Sequence, residues 1–127
     1  MAYVYYNPNP SGKQTGDCVI RSLSAVLGMS WTEVYDILTF EGREYYDWGN
    51  HEAIWGQYLR RIGFTQYPIQ NTCPDCYTVE DFVYDHPKGV YVLSTGSHVV
   101  AAIDGNYFDA WNSGRECPVV YWSKEER

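Results

Sequence analysis

The spacing of apolar residues changes once along this chain, and that change limits the possible folds more than any other feature. Apolar positions recur at helical spacing in Ile20-Leu23-Ala25-Val26-Leu27, in Trp31-Val34-Ile37-Leu38 and in Ala53-Ile54-Tyr58-Leu59-Ile62. From residue 89 they run instead as short β-type segments: Gly89–Ser94, His98–Ile103, Tyr107–Trp111 and Pro118–Trp122. Helices first and strands second predict an α+β fold with an antiparallel sheet in the C-terminal half. The 127 residues make one domain's worth of chain, read as a single domain over 1–127.

Boundaries follow from local chemistry. Tyr3–Tyr6 is a short strand, and Asn7 to Gly12 is turn sequence throughout. Asp17 is placed to cap a helix over 18–28 that stops at Gly28. Ser30 with Glu33 forms a capping box for a helix over 31–40, and residues 41–50 read as a loop. A third helix spans 51–62. A fourth, short one starts from the Thr78-Val79-Glu80-Asp81 box. Asp104-Gly105-Asn106 is a hairpin turn.

Charge and composition exclude several roles. The formal net charge is −7, and the Lys and Arg residues are scattered, so no nucleic-acid footprint exists. No run of apolar residues is long enough to span a membrane, and the N-terminal residues are not a signal peptide. The expected compartment is cytoplasmic, with Cys18, Cys73, Cys76 and Cys117 mostly reduced. The acidic, aromatic surface suits a peptide or protein partner.

Cys18 opens the first helix, where the macrodipole and unpaired N–H groups favour a thiolate and could hold an oxyanion. A buried structural cysteine is the plain alternative. His98 starts an apolar strand and is a candidate base. Taking Gly105 as the centre of the turn, residue 98 faces residue 112, which puts Asn112 beside His98 as the group that orients it. Asp109 competes for that role if the register slips by one residue.

The order of these signals resembles the papain-like cysteine peptidase superfamily. His98-Val99-Val100-Ala101-Ala102 and Asn112-Ser113 are similar to that family's histidine and asparagine segments. Asp17-Cys18 resembles the start of the C39-type bacteriocin-processing peptidases. Gly16–Leu23, Trp31–Tyr35 and Asp109-Ala110-Trp111-Asn112 resemble small papain-like proteins of bacteria and their phages. The resemblance covers roughly residues 5–122. It implies a papain-like fold with the cysteine helix packed on the sheet, and a hydrolase of peptide, isopeptide or other amide bonds that needs no cofactor. It implies Cys18 as nucleophile, His98 as base and Asn112 as orienting residue. The family's oxyanion-donating Gln lies six residues before its Cys. Gln14 lies four before Cys18, so it is a candidate donor beside the Cys18 N–H.

Two other readings stand beside this one: a protein-binding module in which the Cys-His pair is vestigial, and a cell-wall amide hydrolase. Cys73-Pro74-Asp75-Cys76 could be half of a zinc site completed by His86 and Cys117, a redox pair, or a plain turn. The plain turn is favoured. His51 and His86 are read as solvent-facing, and Arg60-Arg61 as a solvated helix end. Tyr45-Tyr46-Asp47-Trp48 is either a substrate wall or an aromatic-anchored loop, with the anchor favoured.

Overall fold

A computed structural model describes residues 2–124. Strand β1 (Tyr3–Tyr5) leads to helices α1 (Cys18–Leu27), α2 (Trp31–Glu44) and α3 (Glu52–Arg61). Strand β2 (Thr65–Pro68) and helix α4 (Val79–Asp85) follow, and then β3 (Val90–Ser94), β4 (Val99–Ile103), β5 (Asn106–Asp109) and β6 (Val120–Ser123). The fold is α+β, as the element order implies. The sheet has six strands in the order β1-β5-β4-β3-β6-β2. It is not purely C-terminal or purely antiparallel: β1 joins one edge parallel to β5, and β2 closes the other edge against β6.

The sheet is covered on both faces. Val92 and Val99 face a core built with α1, α2 and α3 that includes Leu23, Leu38, Trp55, Leu59 and Trp122. Their chain neighbours Leu93 and Val100 face a second core with Val79, Phe82 and Val83 of α4. A strand buried on both faces needs apolar residues at consecutive positions, which explains the unbroken run Val99-Val100-Ala101-Ala102. Leu59 is fully buried in the first core. Leu59→Ala is expected to cost about 2–5 kcal/mol of stability through lost contacts and the cavity left behind. A fall in the urea midpoint with unchanged slope would show it.

Ser30 caps α2 as read from the sequence: its Oγ accepts the Glu33 N–H at 3.1 Å, and the Glu33 carboxylate accepts the Ser30 N–H at 2.9 Å. Thr78 and Asp81 cap α4 in the same way. Helix α2 runs one turn beyond its expected end at residue 40 and takes up the first part of the expected loop. Tertiary contacts account for that extra turn. The Glu41 carboxylate is buried and paired with Arg61. Gly42 and Gly49 lie so close to neighbouring backbone that neither site has room for a Cβ, so the 45–50 loop folds tightly back onto α2. Arg60 is not simply solvated either, because its guanidinium lies 5.0 Å from the Trp122 ring centroid.

Asp17 does not cap α1, contrary to expectation. No side chain caps that helix among the described residues. The Asp17 carboxylate is engaged elsewhere: it pairs with Arg21 at 2.5 Å and accepts the Trp31 indole N–H at 2.8 Å.

The Asp104-Gly105 turn sets the register of the β4–β5 hairpin. Both residues have positive φ, 49° and 83°, and Ile103 pairs directly with Asn106. The loop is therefore two residues long. This is the geometry for which Asp-Gly is suited, since both central positions need φ above zero.

Candidate active site

Three chain segments meet at one end of the sheet. Cys18 is the first residue of α1, His98 directly precedes β4, and Asp109 ends β5. Helix α1 is fixed onto β4 by the Ser22 hydroxyl, which donates to the Val99 carbonyl at 3.0 Å. The turn before His98 is closed twice. The Thr95 N–H donates to the His98 carbonyl at 2.9 Å, and the His98 N–H donates to Thr95 Oγ1 at 3.0 Å. Cys18 and His98 line one cleft of about 380 Å³, together with Thr15, Gly16, Glu52 and Ser94.

Asp109, not Asn112, is the residue that meets His98. His98 Nε2 lies 2.7 Å from Asp109 Oδ2. With a two-residue turn, the ladder pairs Ala101 with Phe108 and Ala102 with Tyr107. Continuing that count sets residue 98 across from 111 and diagonal to 109. Trp111 accordingly packs on His98 with ring centroids 4.8 Å apart. Centring the turn on Gly105 shifts the count by one residue, which is why it singles out Asn112. Asn112 is turned away: its Oδ1 accepts the Tyr107 hydroxyl at 2.6 Å and the Gly114 N–H at 3.0 Å. Asn112→Ala should leave the rate of Cys18 alkylation within about two-fold of the parent, the range of surface substitutions remote from a site. Iodoacetamide labelling followed by mass spectrometry would measure it.

The Asp109 carboxylate is 1% exposed and fully engaged. Oδ2 also accepts the Ser113 hydroxyl at 2.6 Å. Oδ1 accepts from Arg21 at 2.9 Å and from the Ala110 N–H at 2.8 Å. Arg21, itself 4% exposed, bridges Asp109 and Asp17. A continuous polar chain thus runs from Trp31 through Asp17, Arg21 and Asp109 to His98. Sequence reading missed Arg21 and Ser113. The available signal was a cation three residues after Cys18 on a mostly apolar helix.

The electrostatics favour charge separation. Burial pushes the Cys18 thiol up, but the hydrogen bond with His98, the Val99 N–H and the charges of His98 and Arg21 outweigh it, so its pKa is lowered. Burial pushes His98 down. Its hydrogen bonds to Asp109 and Cys18 and the charges of both reverse this and raise it to about 9. Burial pushes Asp109 up, and His98, Ser113 and Arg21 hold it below the usual carboxylate range. This arrangement stabilises a thiolate beside an imidazolium relative to the neutral thiol and imidazole. The uncapped start of α1 supplies backbone N–H groups beside the sulfur. Gln14 is exposed and does not line the cleft.

A second, more apolar groove of about 640 Å³ adjoins the first and shares Thr15, Gly16 and Asn50 with it. Its walls include Trp31 and Tyr35, stacked with centroids 5.2 Å apart, and Trp48, which is 72% exposed. The Tyr45–Trp48 run is therefore not a buried anchor, because Tyr45 and Tyr46 are exposed as well.

The remaining candidates fall elsewhere. Cys73 and Cys76 form a disulfide, which departs from the expectation of reduced cysteines. Among the described residues, no three His, Cys, Asp or Glu side chains are grouped to share a metal. His86 is not solvent-facing: it stacks on Phe82 with centroids 3.9 Å apart and contacts Tyr91 and Tyr121. His51 is exposed and bonded to Asp47 at 2.7 Å. No described helix is long and apolar enough to cross a membrane.

Comparison with family models, with curated proteins and with solved structures gives no match for this chain.

Proposed function

We propose that this protein is a papain-like thiol hydrolase that cleaves an amide bond of a peptide or protein, with Cys18 as nucleophile and His98 as acid and base. The observation that carries the reading is that a helix-start thiol, Cys18, shares one cleft with the His98 imidazole, which is itself bonded to the buried Asp109 carboxylate. Nε2 is taken by Asp109, which leaves Nδ1 for the thiol.

Cys18 gives its proton to His98, and the thiolate sulfur attacks the acyl carbon of the substrate. The developing oxyanion is met by the Cys18 backbone N–H at the helix start. The imidazolium protonates the leaving nitrogen as the C–N bond breaks, which leaves a thioester on Cys18. Neutral His98 then takes a proton from water, whose oxygen attacks the thioester and frees the acid and the thiol. Asp109 stabilises the imidazolium and fixes its orientation. Asp17, Arg21 and Ser113 act through Asp109 and are positioning residues.

A competitive labelling experiment tests the reading. Iodoacetamide at neutral pH should modify Cys18 much faster than the exposed Cys117. Equal, slow labelling of both would sink it and favour the binding-module reading.

A further inference from the structure

The charge in the nucleophile's cleft is unbalanced, and the imbalance points to a class of substrate. Besides Cys18 and His98, one basic and one acidic side chain line that cleft, Arg21 and Glu52. Arg21 is more than offset by the two carboxylates it bridges, Asp17 and Asp109, and so offers the cleft no free positive charge. Cys18 and His98 compensate each other once the proton has moved between them. Glu52 has no such partner, since no ion pair to it exists among the described residues. Its carboxylate is held by neutral donors alone: Ser94 Oγ at 3.3 Å on Oε1 and Gln66 Nε2 at 3.2 Å on Oε2. These bonds tie the first turn of α3 to β3 and β2. They fix where the negative charge sits without cancelling it.

A carboxylate fixed in the wall of a partly enclosed cleft raises the local concentration of cations and disfavours anions. We propose that Glu52 is a specificity residue that selects a substrate carrying a positively charged nitrogen next to the scissile amide. This inference rests on the thiol-hydrolase reading of the same cleft. The shared chemistry is an ammonium group, from either a lysine side chain or a free amino terminus.

Chloromethyl ketones that alkylate Cys18 test the proposal and separate the two sources. N-acetyl-lysyl is compared with N-acetyl-norleucyl chloromethyl ketone for the side chain. Free alanyl is compared with N-acetyl-alanyl chloromethyl ketone for the amino terminus. In one pair the cationic member is expected to react about five-fold or more faster, as for one charge at the edge of a protein cleft. Glu52→Gln keeps the side-chain shape, its oxygen still accepting from Gln66 and its NH2 able to donate to Ser94 Oγ, and should erase that preference. Glu44→Gln, an equal change in net charge on an exposed helix position, should retain it. Equal rates in both pairs, or a preference that persists in Glu52→Gln, would overturn the proposal.

Iodoacetamide serves as the neutral control. If it too fails to favour Cys18 over Cys117, the hydrolase reading fails on its own. The charge preference is then read from the Cys18→Ala protein by NMR titration with N-acetyl-lysinamide and alaninamide. Shifts at Ser94 and Gln66 that Glu52→Gln removes would uphold the cation site, and no shifts would overturn it.

Discussion

At pH 6, His98→Ala should slow alkylation of Cys18 by iodoacetamide about ten-fold or more, because below its pKa a thiol's ionised fraction falls about ten-fold for each unit the pKa rises. In the intact site the thiol is lowered, with the His98 hydrogen bond and charge offsetting the cost of burial. Without the imidazole, burial is left opposed only by the Val99 N–H and Arg21, and the thiol recovers a high pKa. The pH profile gives the sign. In the parent, the rise in alkylation should set in at lower pH than for an ordinary thiol. In the variant it should climb only as pH rises through that range. Hydrolysis needs the imidazolium as acid, so its rate should fall on the alkaline side as His98 loses its proton near 9. Loss of the acid and base together should reduce turnover by about 10²–10⁴-fold. A parent profile that matches the His98→Ala profile would refute the ion pair.

Asp109→Ala should damage both stability and chemistry. It removes one of the two carboxylates that compensate Arg21, which is buried. Leaving a buried charge with no partner typically costs about 3–5 kcal/mol; Arg21 keeps Asp17, so the loss should fall below that range while still being measurable. Asp109→Asn separates the two effects. It keeps the shape and some of the hydrogen bonds, but takes away the charge that raises His98. The alkaline limit of activity should then drop from about 9 toward the ordinary histidine range. Chemical unfolding would read the first effect and the pH–rate profile the second. An Asp109→Asn protein with the parent's alkaline limit would exclude Asp109 as the group that stabilises the imidazolium.

Much of this fold is written locally. The Ser30 and Thr78 capping boxes mark the starts of α2 and α4. The run Val99–Ala102 marks a strand buried on both faces. What local reading misses depends on the rest of the molecule. Strand β2 is four residues ending in Pro68 at a sheet edge, too short to carry a period. Helix α2 gains its last turn from Arg61, twenty residues on, which pairs with Glu41. In the site, Cys18 and His98 are legible because a helix start and a strand start have sequence signals. The partner of His98 is harder to read, because it depends on whether the hairpin turns on two residues or three. Arg21 resembles any surface cation until the two buried carboxylates beside it are known.

The polar chain from Trp31 to His98 joins segments made far apart in time. His98 follows Cys18 by 80 positions, the difference between their residue numbers. At about 5–20 residues per second, translation separates the two by about 4–16 s. Through that interval the thiol has neither the imidazole nor the Val99 N–H to ionise it, and Arg21 lacks Asp109. The newborn chain therefore carries an ordinary cysteine. Its reactivity switches on only when the last hairpin docks, so under the proposed mechanism folding itself acts as the activation step.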